Sequence, residues 1–149
     1  MLFRSKIGIL GFSAGGHLVA WEGTNYDHRT YEPVDDADKS DCRPDFIVSI
    51  YPGGVLNQGT TDLKPEIKVT SQTPPTFLAV AGNDKGSLEG TVALYLALKR
   101  ADVPAELHVY STGGHGFGIR ATNTNPCGTW PQRCAEWMRV QKIIPAEKP

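Results

Sequence analysis

The sequence predicts an α/β fold of about four parallel strands with flanking helices, and three observations lead there. Short apolar runs recur at 6–12, 46–52, 75–84 and 105–117, as buried parallel strands would. Helix-compatible stretches follow some of them, at 13–21, 87–103 and 129–144. The resulting order, β-α-β-loop-β-α-β-α, implies parallel strands joined by right-handed crossovers. A chain of 149 residues with no internal repeat or low-complexity segment suits one domain, 1–149.

Each element has its own reason. "KIGILGF" (6–12) is apolar and ends where a turn begins, and "SAGGHLVAW" (13–21) offers small and apolar residues for a helix packed close to that strand. Residues 23–45 are polar, acidic and proline-containing, which predicts a loop with at most one short helical turn. "FIVSIYP" (46–52) is a second buried strand closed by Pro52-Gly53-Gly54, and 55–74 reads as an irregular excursion. "PTFLAVAGND" (75–84) is a third strand ending in turn residues. The long helix over 87–103 carries Lys99 and Arg100 in its last turn, where cations suit the helix dipole. "AELHVYSTGGHGF" (105–117) is a fourth strand entering a glycine-rich loop, and 129–144 is a final helix with Pro131 near its first turn.

Composition excludes several classes. The chain is 40% hydrophobic and 21% charged, with fifteen basic and sixteen acidic residues. No basic stripe argues for nucleic acid or an anionic membrane. No apolar run approaches the roughly 18 residues of a membrane span, and the first ten residues are too short and too charged for a secretory signal. Those readings leave a cytoplasmic location by default. Cys42, Cys127 and Cys134 are odd in number and form no C-x-x-C pair. They read as reduced thiols, with a Cys127–Cys134 bridge as the alternative in an oxidising compartment.

The chemistry concentrates at three strand ends. Gly11-Phe12-Ser13-Ala14-Gly15 fits Gly-x-Ser-x-Gly, a strained strand-to-helix turn that exposes a serine hydroxyl. Small residues at Gly11, Ala14, Gly15 and Gly16 avoid clashes around it, and the Ala14 amide is placed where an oxyanion would develop. Asp84 follows the third strand in "AGNDKG", and His115 follows the fourth in "STGGHGFG". Both lie where open parallel sheets collect functional groups, outside the carboxyl ends of strands. Bland readings compete for each: an Asx turn for Asp84 and a loop histidine for His115. Their joint placement after successive strands favours a Ser13–His115–Asp84 triad. His17 reads as a packed helix histidine, His28 as solvated and His108 as mid-strand. A metal site from Asp27, His28, Asp35 and Asp36 has no recognisable spacing, so no metal is expected. Tyr51 and Trp130 suit a pocket or the core.

At "IGILGFSAGGHLVA", "RPDFIVSIYPG", "TPPTFLAVAGND" and "ALYLALKRADVPAELHVYSTGGHGFG" the chain resembles the α/β-hydrolase superfamily. Within it, the likeness is to acetyl-esterase and xylan-esterase-like carboxylesterases, related to the hormone-sensitive-lipase and dienelactone-hydrolase groups. The resemblance runs along essentially the whole chain but matches only the C-terminal half of such enzymes, which implies a partial, truncated α/β-hydrolase fold. It implies Ser13 as nucleophile, His115 as general base, Asp84 as the residue orienting the imidazole, and Ala14 as an oxyanion donor. The implied function is hydrolysis of short-chain acyl esters, such as those of acetylated sugars, through an acyl-enzyme, with no cofactor. The family's glycine-rich oxyanion loop has no counterpart in these residues, so Gly53, Gly54 or a neighbouring subunit become candidates for the second donor.

The same comparison leaves the strand at 6–12 with an uncovered edge, and a bare apolar edge is a template for association. The expectation is a homo-oligomer, namely a dimer in which two copies of strand 6–12 pair across a two-fold axis, or failing that a dimer through a helix face. Two other functions compete with the esterase. One is a non-catalytic remnant that folds by oligomerisation, and the other is a peptidase of the prolyl-oligopeptidase type.

Overall fold

A computed structural model of the chain describes residues 6–120 and 124–146. Strands β1 (Gly8–Phe12), β2 (Phe46–Ile50), β3 (Thr76–Ala81) and β4 (Ala105–Tyr110) form one sheet in the order β1-β2-β3-β4. Every pairing is parallel, with Gly8 opposite Phe46, Ile47 opposite Thr76, and Thr76 opposite Ala105. Three helices flank it: α1 (Ala14–Asn25), α2 (Leu88–Arg100) and α3 (Trp130–Val140). Short 3-10 turns occupy Asp36–Lys39 and Pro126–Thr129.

Alternation along β2 and β3 divides the core between the two faces of the sheet. Val48, Ile50, Phe77 and Ala79 pack with Trp130, Cys134 and Trp137 of α3. On the other face Leu78 joins Ala20 of α1, Leu94 and Leu98 of α2, and Val55, Ile67 and Val103 from the loops. All six residues of β3 are buried, and each large apolar side chain buried there contributes about 1.5–3 kcal/mol. A rigid, doubly covered β3 gives Asp84, three residues beyond its end, a fixed starting point.

The predicted elements all form, and their ends differ for identifiable reasons. Helix α1 continues beyond 21 to Asn25, because the Thr24 hydroxyl donates to the Ala20 carbonyl (2.9 Å) and the Asn25 amide reaches the Glu66 carbonyl (2.6 Å). Strand β3 stops at Ala81, where the carbonyl accepts from the Asp84 N–H (3.0 Å) in a tight turn. Strand β4 stops at Tyr110, well before the glycine run. The irregular 55–74 excursion contains one antiparallel bridge, Leu56 with Leu63. None of Cys42, Cys127 and Cys134 is in a disulfide, so the alternative Cys127–Cys134 bridge does not form. Burial pushes the Cys134 thiol up to about 12, which keeps it protonated and unreactive.

Candidate active site

Ser13 lies between β1 and α1 in a conformation that only a tight turn imposes, φ 54° and ψ −116°. A non-glycine residue in that region carries strain of about 1–3 kcal/mol. Local contacts hold it there. The Ser13 N–H donates to the Ile50 carbonyl (3.0 Å), while the Ser13 carbonyl accepts from the amides of His17 and Gly53 (both 3.1 Å). Gly11 makes the turn possible, since a Cβ there would stand 2.0 Å from the Gly15 carbonyl oxygen. Gly16 allows α1 to approach Pro52, with a Cβ-to-Cα distance of 3.0 Å. Gly15 does not fit the crowding expected around the serine, because a Cβ at that position meets nothing within 4 Å.

The serine hydroxyl makes no cap bond to α1. It pairs instead with His115 Nε2 at 2.7 Å. On the other side of the ring, His115 Nδ1 lies 2.7 Å from Asp84 Oδ2. A carboxylate beside Nδ1 keeps the proton on that nitrogen and leaves the Nε2 lone pair for the serine hydroxyl. The structure thus brings together all three residues singled out from sequence. Asp84 has a side chain only 4% exposed, against 47% for His115, so the carboxylate is shielded while the imidazole is half in solvent. The second Asp84 oxygen accepts the Gly86 N–H (3.1 Å), and the Asp84 carbonyl accepts the Leu88 N–H (3.0 Å) as α2 begins.

The loop that carries His115 is set by backbone handedness. Gly114 and Gly116 hold φ 65° and 79°, and a Cβ at either would meet nothing. Their requirement is therefore conformational, not the relief of side-chain obstruction. The Gly114 N–H donates to Asn83 Oδ1 (2.8 Å), tying this loop to the one that holds Asp84. Tyr51 supports the ring from below. It has φ 40°, its ring meets the His115 ring at 5.1 Å in an edge arrangement, and its hydroxyl accepts the Gly118 N–H (3.1 Å). Burial raises the Tyr51 phenol above its usual range, so it remains a neutral phenol. Tyr51 and Trp130 are both core residues.

The remaining candidates separate clearly. Ala14 is exposed and opens α1, where the first amides have no acceptor in the helix. Gly53 is not a free oxyanion donor, since its N–H is committed to the Ser13 carbonyl. His108 pairs with Glu106 (2.8 Å) in β4, and exposed His28 stands 3.8 Å from Asp27. Among the described residues no group of three or more His, Cys, Asp or Glu converges as metal ligands would.

Ser87 is a functional candidate that only the structure brings to light. It is 1% exposed, and its hydroxyl lies 3.3 Å from His115 Nδ1. In sequence it reads only as a serine heading a helix, and nothing distinguishes a capping hydroxyl from one turned toward a distant loop. Asn83 likewise reads as an ordinary turn residue.

The four-stranded parallel sheet, the serine turn after β1 and the histidine loop after β4 make this a partial α/β-hydrolase fold. The chain is similar to α/β-hydrolase esterases. The acetylxylan esterase of Xylanibacter ruminicola is 27% identical over 97% of this chain, and the match takes in 32% of that protein. The acetyl ester-xyloside bifunctional hydrolase from Caldicellulosiruptor lactoaceticus superposes with a TM-score of 0.78 at 33% identity, over 92% of this chain and 57% of its own. The carboxylesterase Cest-2923 from Lactobacillus plantarum shares the fold at 19% identity and a TM-score of 0.69, over 96% of this chain and 61% of its own. The chain therefore spans about a third of the curated relative and under two thirds of the solved ones. No family model matches the sequence.

Proposed function

We propose that this chain carries the catalytic triad of a serine carboxylesterase acting on short-chain acyl esters. The observation that carries the reading is the unbroken relay Ser13 Oγ–His115 Nε2 and His115 Nδ1–Asp84 Oδ2, both at 2.7 Å. Ser13 attacks the ester carbonyl as Nε2 takes its proton. The Ala14 N–H stabilises the oxyanion, and His115 returns the proton to the departing alcohol, leaving an acyl-enzyme. Water, deprotonated by the same nitrogen, then releases the acid. Asp84 holds the imidazole in the required tautomer and stabilises the imidazolium. No step needs a metal or cofactor.

The half-exposed imidazole and the exposed Ala14 support small, accessible acyl groups over long chains. Residues 1–149 are read as one folding unit. Its proposed assembly is a homodimer through β1, whose far side has no paired strand among the described residues. Ile7, Leu10, Leu18 and Trp21 are exposed apolar side chains on or next to β1 and α1, which supports association there.

The test is hydrolysis of p-nitrophenyl acetate, butyrate and octanoate by the protein and by Ser13→Ala. The expected outcome is turnover that falls with chain length and disappears in the variant. Equal slow rates in both proteins would favour a non-catalytic remnant, and cleavage of a peptide amide with no ester preference would favour a peptidase.

A further inference from the structure

The two nitrogens of His115 are each approached by a serine that stands at the start of a helix. Ser13 precedes α1 and Ser87 precedes α2, and neither hydroxyl makes a cap bond to its own helix. Serine is among the best residues for that bond, so two helices forgo it at the same imidazole. For Ser13 the reason is the proposed nucleophile. For Ser87 the helix is served in another way, as the Ser87 carbonyl accepts both the Thr91 N–H (2.9 Å) and the Thr91 hydroxyl (2.6 Å). The hydroxyl itself, in a residue only 1% exposed, turns to Nδ1 at 3.3 Å. Buried hydroxyls are rarely left without a partner, and His115 is the partner this one has among the described residues.

We propose that Ser87 is a positioning residue for His115, a second acceptor that shares the Nδ1 proton with Asp84. The two oxygens differ in strength and purpose. Asp84 Oδ2 at 2.7 Å takes the main, charge-assisted bond. Ser87, on the longer arm, confines rotation of a ring that is otherwise half in solvent. Together they bracket Nδ1, so that Nε2 stays on the Ser13 hydroxyl as the ring changes charge. Asp84 and Ser87 lie three residues apart in the turn entering α2, so one rigid segment delivers both acceptors. Tyr51, just beyond the end of β2, meets the same ring in an edge arrangement and gives it a ring contact and not an acceptor.

This inference rests on the esterase reading for its kinetic consequence, but not for its structural one. The experiment compares the protein with Ser87→Ala and Ser87→Thr by NMR of the His115 Nδ1–H resonance and by ester kinetics. In Ser87→Ala the resonance is expected to broaden through faster exchange with water, while the melting temperature holds because no cap bond is lost. The value of kcat is expected to fall about fivefold, the equivalent of one ordinary hydrogen bond, with KM unchanged. Ser87→Thr, which keeps the hydroxyl, restores both signals. In an Asp84→Ala background the Ser87→Ala loss is expected to be larger, because Ser87 is then the remaining acceptor. An unchanged resonance in Ser87→Ala overturns the proposal whether or not the protein hydrolyses esters. An intact Ser87 effect on the resonance in a protein without esterase activity would overturn the esterase reading alone. Should Ser87→Ala lower the melting temperature and be rescued by no hydroxyl, Ser87 is a structural cap and the proposal fails.

Discussion

Ser13 stores backbone strain, Asp84 is buried, and His115 is half exposed. Each departs from what its residue type prefers, and in the proposed function each departure serves one proton path. An isolated serine hydroxyl is a weak nucleophile, and only a neutral imidazole with its proton on Nδ1 can accept from it. Asp84→Asn should therefore leave the fold intact yet reduce kcat by about 10⁴, since an amide can donate to Nδ1 and stabilise the wrong tautomer. Circular dichroism and steady-state kinetics on the same preparation check both halves of that statement, and a loss under tenfold would remove Asp84 from the relay. All three residues were legible in the sequence because each follows a strand that is itself easy to read. Ser87 and Tyr51 were not. Their contacts with His115 cross 28 and 64 residues of chain, and no local pattern encodes which way a buried hydroxyl or ring will turn.

At the scale of elements, the turn from β1 to α1 decides whether the serine is presented at all. Gly11 and Gly15 lie in the same motif and predict opposite outcomes. Gly11→Ala forces a Cβ to within 2.0 Å of the Gly15 carbonyl oxygen, a backbone atom that cannot step aside, so it should cost about 3 kcal/mol. Gly15→Ala places its Cβ in open space within α1 and should stabilise by about 0.5–1 kcal/mol through helix propensity. Urea unfolding of the two variants checks the contrast, and equal effects would show that the turn is not built as described. Strands and helices were legible from apolar runs and their flanking Gly, Pro and Asp. Their ends were less so: α1 outran the sequence reading because Thr24 and Asn25, polar residues that read as loop, satisfy backbone carbonyls instead.

For the molecule as a whole, the sheet is covered by helices on both faces, and among the described residues no strand pairs with the outer edge of β1, where Leu10 is 49% exposed. Pairing two β1 strands across a two-fold axis would satisfy their free backbone groups and cover the apolar side chains beside them. Light scattering after size exclusion should report twice the chain mass, and Leu10→Lys should shift that to a monomer; a wild-type monomer at high concentration would contradict the dimer. The edge position of β1 was expected from the family likeness and is found, but the order of β2, β3 and β4 was not legible, since composition reports burial and not which strands are neighbours. The contacts of Ser13, His115 and Asp84 depend on that order, because β1 and β3 flank β2 and β4 lies beside β3, so the loops after β1, β3 and β4 leave the same end of one parallel sheet. The most direct measurement is therefore intact-mass and peptide mapping after treatment with a fluorophosphonate, beside Ser13→Ala and His115→Ala. A single adduct on the Ser13 peptide, absent from both variants, is the result predicted. No adduct on wild type, or an adduct that persists in His115→Ala, would mean that the relay does not activate Ser13.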